Sequence, residues 1–201
     1  MNKLVKGSIA GGLGVVLLLG GAGTLALWNQ TAVVSGGNVT AGVLTIAADA
    51  TASTWTDISS DVVTQTGFSA GKPISDISAY KIVPGDKIKF TKTVTINATG
   101  TNLKGKLTFD PATIVAGTGT ASANLKSKLV ATLAATGTGV SASGTANEYT
   151  VATNTTNSTV TLVLTLELPS TVGDTTGEGT IAQTGTVDLT NVAFKLNQVR
   201  P

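Results

Sequence analysis

The stretch Thr159-Val160-Thr161-Leu162-Val163-Leu164-Thr165-Leu166-Glu167-Leu168 decides the fold of this chain. Its even-numbered positions form an unbroken apolar row, whereas threonine and glutamate occupy the odd-numbered positions, with Val163 as the one exception. Because successive side chains of a β-strand point to opposite faces, this two-residue period predicts a half-buried strand. We therefore expect a long strand whose leucine row lies in the core.

A second clear strand signal lies at residues 86–96, which alternate apolar with polar side chains and break the pattern only at Lys92. Residues 103–109 again place their large apolar side chains on one face. The residues between the two segments, Thr-Gly-Thr-Asn at 99–102, are typical of a turn. We therefore expect these two strands to pair as a β-hairpin.

The last strand signal, at residues 187–199, contains a change of phase. Val187 is odd-numbered, whereas Phe194 and Leu196 are even-numbered. An extra residue near Thr190-Asn191 would return these side chains to one face of the strand. We therefore predict a β-bulge at Thr190-Asn191.

Residues 39–46 are predicted to form the first strand, and weaker strand signals lie at residues 129–133 and 149–151. The expected total is about seven to nine strands. No amphipathic helix pattern follows residue 28. A chain of 201 residues with many short strands suits one domain of two packed sheets. We therefore predict an all-β fold, a two-sheet sandwich over residues 39–201.

The composition excludes several classes of function. The chain contains no histidine and no cysteine, which removes the commonest general base, the usual zinc ligands and any disulfide. Aromatic residues make up only 4% of the chain, and beyond residue 26 eleven basic side chains meet eleven acidic ones. Nucleic-acid binding requires a basic surface, often with aromatics. We therefore expect no nucleic-acid partner, no enzyme, no metal and no cofactor.

Carboxylates leave two alternatives open. A secreted hydrolase could use Asp and Glu alone, but no pair of them is distinguishable in the sequence. Asp174 and Glu178 flank a glycine-bearing loop and could supply oxygen ligands to calcium. Because two carboxylates are too few for a strong site, we interpret this segment as a solvated turn.

The first 26 residues have the layout of a secretory signal. Lys3 and Lys6 precede a long charge-free run, and Thr24-Leu25-Ala26 offers small residues where a signal peptidase recognises its substrate. We predict a signal helix that is cleaved between Ala26 and Leu27, so that only the uncleaved form contacts the membrane. A permanent anchor is the alternative, although no cluster of positive charges follows the apolar run.

Residues 27–38 form an extension between the signal and the domain. Trp28, Ala32 and Val34 share one face of an extended strand, in which Gln30 is the polar exception. A pair of glycines separates this strand from the domain, so that it has nothing local to pair with and suits the sheet edge of a neighbouring copy. The candidate donor strand comprises Leu27, Trp28, Gln30, Ala32, Val33 and Val34.

Three short segments carry a family resemblance. The predicted signal ends in a glycine-rich Gly-Thr-x-Ala pattern at residues 20–26, a Gly-Val-Leu strand core follows at 42–44, and a Pro84-Gly85-Asp86 turn precedes a long strand. In these features the chain resembles the camelysin/TasA group, which Gram-positive bacteria export with an alternate signal cut by a dedicated SipW-type peptidase. The resemblance implies a jelly-roll-like subunit of surface or biofilm-matrix fibres that inserts its N-terminal strand into a neighbour. The metallopeptidase activity implied by the name camelysin is not carried over, because the chain has no histidine.

Two functions fit this sequence. The first is a secreted cell-surface or extracellular-matrix protein that associates with itself into filaments by donor-strand insertion. The second is a monomeric secreted adhesin or ligand-binding module, in which loops at one end of the sandwich contact the partner. Exposed aromatics clustered in loops would indicate the second function, and only Trp55, Phe68 and Tyr80 fall near predicted loops.

Overall fold

The computed structural model describes residues 38–153, 155–173 and 180–200, together with the isolated residues 2 and 7. The chain divides into two compact units, residues 1–39 and 40–201, and the strands of the described ranges belong to the second unit. The predicted signal peptide lies outside the described residues except at those two positions. The described chain is predominantly β with antiparallel strands, which confirms the predicted all-β class.

Twelve strands and two α-helices occur in the described ranges, with short 3₁₀ helices at Ile77–Ala79 and Pro111–Thr113. The strands are β1 (Val43–Ala48), β2 (Thr54–Asp57), β3 (Lys72–Ile74), β4 (Lys87–Thr99), β5 (Lys104–Phe109), β6 (Val115–Ala116), β7 (Val130–Gly137), β8 (Val140–Ala142), β9 (Glu148–Val151), β10 (Thr155–Glu167), β11 (Val187–Asp188) and β12 (Phe194–Val199). The helices are α1 (Ser60–Val63) and α2 (Thr120–Lys128).

Ten of these strands form two antiparallel sheets. The larger sheet has the order β3-β2-β4-β10-β7, and β1 also pairs with β4, beyond the end of β2. The smaller sheet has the order β12-β5-β9-β8, and β6 pairs with β11 separately. The two longest strands, β4 and β10, lie side by side with Val94 opposite Val160.

The core lies on the even-numbered face of β10. Val160, Leu162, Leu164 and Leu166 are all 0% exposed, which confirms the predicted leucine row. One buried cluster combines Ile96 and Leu162 of the larger sheet with Leu107 and Val151 of the smaller one. The two sheets therefore share a common core.

The predicted hairpin between residues 86–96 and 103–109 is wrong. β4 pairs with β1 and β2 on one edge and with β10 on the other, whereas β5 pairs with β9 and β12. Because both edges of β4 are already hydrogen-bonded, no place beside it remains for β5. The turn through Gly100, with φ of 148°, carries the chain into the other sheet instead.

The predicted bulge at Thr190-Asn191 is also wrong, because the chain forms two separate strands there. β11 pairs with β6, and β12 pairs with β5. Between them the amide of Thr190 donates to Asp188 Oδ1 at 2.8 Å, which forms a local turn. Val187 and Phe194 thus belong to different strands and need no common phase.

Two helices, α1 and α2, follow residue 28, although no amphipathic helix pattern marks them in the sequence. In α2, Leu125 is the one large apolar side chain, so no helical period marks this segment in the sequence. Leu125 is buried with Leu168 and Val172 in a small separate cluster. The first strand also starts later than predicted, at Val43 rather than at residue 39.

Candidate functional site

The edge strands of the two sheets differ in how they oppose the addition of a further strand. β3 and β8 have three residues each, and β3 contains Pro73. Short edges and edge prolines discourage strand addition. β7 is longer, but side chains cover part of its outer backbone. β1 and β12, with six residues each, lack these features within the described ranges.

The register of β1 with β4 determines which backbone groups of β1 point outward. The amide of Asp49 donates to the carbonyl of Thr93 at 3.1 Å, in register with the β1 to β4 pairing. Hydrogen-bonded pairs alternate along an antiparallel ladder, so the backbone N–H and C=O groups of the odd-numbered residues of β1 hydrogen-bond to β4. The N–H and C=O groups of Leu44, Ile46 and Ala48 therefore point away from β4.

The same argument applies to β12. The amide of Asp110 donates to the carbonyl of Ala193 at 3.1 Å, in register with the β5 to β12 pairing. The odd-numbered residues of β12 therefore face β5. The N–H and C=O groups of Phe194, Leu196 and Gln198 point away from it.

These two outer edges lie side by side, and Cα atoms of β1 and β12 approach within 8 Å of each other. In the described part of the chain no strand pairing joins them, and we call the region between β1 and β12 the open seam. Leu44, Ile46, Phe194 and Leu196 pack against the core there but stay half-buried. Among the residues that the structure describes, the open seam thus combines unpaired strand backbone with incompletely covered apolar side chains.

The opposite side of the two sheets is closed by the chain itself. β7 continues through Thr138 and Gly139 into β8, which lies in the other sheet. The carbonyl of Gly139 accepts from the amide of Ala152 at 2.8 Å, and the carbonyl of Thr138 accepts from Ser158 Oγ at 2.6 Å. This connection therefore holds the two sheets together on the side opposite the open seam.

The Pro84-Gly85-Asp86 segment forms a tight turn ahead of β4. Gly85 has φ of 99°, a conformation that favours glycine. The amide of Asp86 donates to the carbonyl of Val83 at 3.0 Å, and Asp86 Oδ2 accepts from the amide of Val83 at 2.8 Å. The amide of Gly85 donates to the carbonyl of Leu168 at 2.7 Å, which ties this turn to the end of the leucine row.

A polar cluster supports this turn. The Tyr80 hydroxyl lies 2.8 Å from Asp57 Oδ2 and 3.3 Å from Asp86 Oδ2, and its burial together with these carboxylates raises the pKa of Tyr80 well above its ordinary value. Burial alone would raise the pKa of Asp57, but hydrogen bonds from Ser59 and Tyr80 outweigh burial and lower this pKa. Ser59 Oγ also accepts from the amide of Lys87 at 3.0 Å. The cluster thus anchors the start of β4.

A cavity of about 790 Å³ is a further feature of the domain. Its size is that of a small-molecule pocket. The walls are largely apolar and include Ile82, Leu125, Leu129, Leu168, Val172 and Ala182. The described residues contain no group of three or more carboxylates that could hold a metal ion.

Some of the residues predicted to be functional lie outside the described residues, and others lie within the domain. The cleavage site and the candidate donor strand, comprising Ala26, Leu27, Trp28, Gln30, Ala32, Val33 and Val34, lie outside the described residues. Of the aromatics considered for a binding module, Trp55 lies in β2 against Phe90, with ring centroids 5.0 Å apart, and Tyr80 is bound to Asp57. These side chains are parts of the domain packing and do not form an exposed loop cluster.

Comparison with known proteins identifies no relative, since no family model, curated protein or solved structure matches the chain. None of the helices in the described ranges has the length and apolar character needed to cross a bilayer. Sequence reasoning predicted a donor strand but no acceptor. The sequence signal for the open seam was two alternating apolar segments near opposite ends of the domain, Leu44 with Ile46 and Phe194 with Leu196.

Proposed function

We propose that this chain is an exported structural subunit of surface or biofilm-matrix fibres, in which residues 27–34 of one copy add as a strand to the open seam of the next. The open seam is the single observation that carries this proposal. In the same proposal the domain is a jelly-roll-like sandwich, residues 1–26 are a signal helix removed by a dedicated peptidase, and the subunit performs no catalysis.

The donor strand and the open seam match in length and character. Eight extended residues span about 26 Å, and the six-residue edges of β1 and β12 span about 20 Å. Trp28, Ala32 and Val34 would cover the half-buried side chains of the open seam. A strand that pairs with both β1 and β12 needs two strand spacings of about 4.8 Å each between them. Where β1 and β12 lie within 8 Å, the gap is smaller than that. The donor therefore pairs with one edge there and covers the other edge with its side chains.

Donor and acceptor are different surfaces of the same chain, so the contact is head-to-tail. Such a contact generates an open filament unless its rotation closes a ring. The absence of histidine and cysteine supports a structural role over catalysis. The resemblance to the camelysin/TasA group points to the same kind of assembly.

Comparing the mature chain, residues 27–201, with residues 35–201 tests the proposal. By electron microscopy and sedimentation velocity, we expect filaments from the first and a folded monomer from the second. Two adjacent valines provide a matched pair: Val34→Asp should abolish filaments because it faces the core of the neighbour, whereas Val33→Asp on the opposite face should not. A monomeric mature chain, or a truncated chain that polymerises equally well, would overturn the proposal.

Cysteine cross-linking locates the contact, because the native chain has no cysteine. Ala32→Cys combined with Leu196→Cys or Leu44→Cys should give a ladder of disulfide-linked oligomers on oxidation, since side chains of adjacent strands on one face are within bonding reach. The control pair, Ala32→Cys with Thr132→Cys on β7, should give none. Disulfide cross-linking through residue 132 alone would mean that the donor strand lies beside β7 and not at the open seam.

The cavity favours a second candidate function, the binding of a small apolar ligand by a monomer. Titration with an environment-sensitive apolar fluorophore tests it, using Ala182→Trp to fill the cavity. Saturable binding that this substitution removes, in a chain that stays monomeric, would favour the ligand-binding module over the fibre subunit.

A further inference from the structure

β7 is the longest edge strand in the described part of the chain, and its sequence Val-Ala-Thr-Leu-Ala-Ala-Thr-Gly contains no charge and no proline. An exposed edge of this kind is a template for pairing with another chain. The fold therefore needs some means of keeping further strands away from β7.

The register identifies which backbone groups of β7 face outward. The amide of Leu168 donates to the carbonyl of Asp86, in register with the β4 to β10 pairing. The backbone N–H and C=O groups of the even-numbered residues of β10 therefore hydrogen-bond to β4. The backbone groups of the odd-numbered residues of β10 then hydrogen-bond to β7, and each of these residues lies opposite an even-numbered residue of β7. The N–H and C=O groups of Ala131, Leu133 and Ala135 consequently point outward.

Two side chains hydrogen-bond to three of these six outward groups. Asn147 Oδ1 accepts from the amide of Leu133 at 2.6 Å, and Asn147 Nδ2 donates to the carbonyl of Ala131 at 3.1 Å. The Tyr149 hydroxyl donates to the carbonyl of Leu133 at 3.3 Å. The side-chain amide of Asn147 thus occupies one N–H and one C=O of β7 with which an added strand would otherwise hydrogen-bond.

The backbone around Asn147 is arranged to present this side chain. Asn147 has φ of 61°, a left-handed conformation that asparagine tolerates better than most residues. The next residue, Glu148, is held to the smaller sheet by an ion pair with Lys106 at 2.7 Å. Asn147 and Tyr149 are therefore carried on the anchored start of β9.

We propose that Asn147 and Tyr149 form an edge guard that prevents a second copy of this chain from pairing with β7. Without the guard, β7 strands of two copies pair antiparallel in a twofold dimer, since each supplies the same free edge. In fibres, a consequence that rests on the proposed function, the guard confines strand addition to the open seam and keeps the filament unbranched.

The test uses the mature chain carrying Val34→Asp, so that donor-strand assembly does not contribute. Asn147→Gly removes the guarding amide while suiting the positive φ, and Tyr149→Phe removes the hydroxyl. By sedimentation equilibrium, we expect the double variant to self-associate at least about tenfold more strongly than its parent, which corresponds to ~1.4 kcal/mol. The control is Asn157→Gly, since Asn157 is another asparagine with a positive φ, of 45°. This substitution should leave the self-association of the parent unchanged.

A further variant separates edge pairing from misfolding. Thr132→Lys places a charge on the exposed face of β7, and added to the double variant it should restore the monomer if β7 is the contact. A double variant that stays as monomeric as its parent overturns the edge guard, and so does association that Thr132→Lys fails to reverse. Neither result bears on the donor strand, whose failure would show as absence of filaments from the unsubstituted mature chain.

Discussion

Lys92 lies on the core face of β4, and its ammonium group donates to the backbone carbonyl of Asp49 at 2.8 Å and to that of Thr51 at 2.6 Å. This contact explains the one break in the alternating pattern of β4. The aliphatic stem follows the apolar row, while the charged end turns toward the connection between β1 and β2. A side chain of the central strand thus holds the end of β1, one wall of the open seam.

Replacing Lys92 with methionine should destabilise the domain. The Lys92→Met variant keeps an apolar stem but leaves the carbonyls of Asp49 and Thr51 without their charged donor, at an expected cost of about 1 to 2 kcal/mol. Urea denaturation measures the loss. Lys89→Met, on the outward face of the same strand, is the control, and an equal effect of both substitutions would contradict the role of Lys92.

Truncating the leucine row should be more severe. Leu164 is 0% exposed, so Leu164→Ala removes buried apolar surface and leaves a cavity, at an expected cost of about 2 to 5 kcal/mol. Val163→Ala on the opposite face should cost less than half as much. Denaturation of the two variants in parallel tests this, and a neutral Leu164→Ala would show that the core assignment is wrong.

Acid should destabilise the domain partly through Asp57. Because the pKa of Asp57 is lowered in the folded protein, its stabilising effect is present above its unfolded-state pKa of about 3.9 and is lost as the pH falls through the lower folded-state value. The free energy of unfolding should therefore fall less steeply below about pH 4 in Asp57→Asn than in the native protein. The exposed Asp61→Asn is the control, and indistinguishable pH profiles of the three proteins would exclude Asp57 as a contributor.

Export should produce a chain that begins at Leu27. Mass spectrometry of the secreted protein should give the mass of residues 27–201, because Thr24-Leu25-Ala26 carries the small residues that a signal peptidase recognises. Ala26→Asp should block cleavage, since a charged side chain does not fit at that position. Recovery of an intact N-terminus from the native protein would favour the membrane anchor.

The sequence predicts those parts of the fold that depend on local alternation. The faces of β10 and β4 follow directly from their two-residue period, because burial on one side requires it. Pairing partners do not follow, since the turn at Gly100 looks the same whether it joins neighbouring strands or two sheets. The helix α2 was missed because Leu125 alone gives no helical period.

The candidate site shows the same division. Leu44, Ile46, Phe194 and Leu196 alternate recognisably, but their closeness arises only when β4 and β5 enter different sheets. The edge guard is less predictable still. Asn147 reaches β7 from a turn beyond the intervening β8, and no local pattern distinguishes it from the other asparagines of this chain.

The pairing of β4 with β10 also constrains when the domain can fold. Val94 meets Val160, so the centre of the larger sheet joins segments that are far apart in the chain, and such long-range pairing slows folding. In the export that we propose, the N-terminal part of the chain emerges before β10 exists outside the cell. We therefore expect the open seam to be complete only after β12 has been released. In the proposed fibre, each subunit then becomes able to accept a neighbour only at the end of its own translocation.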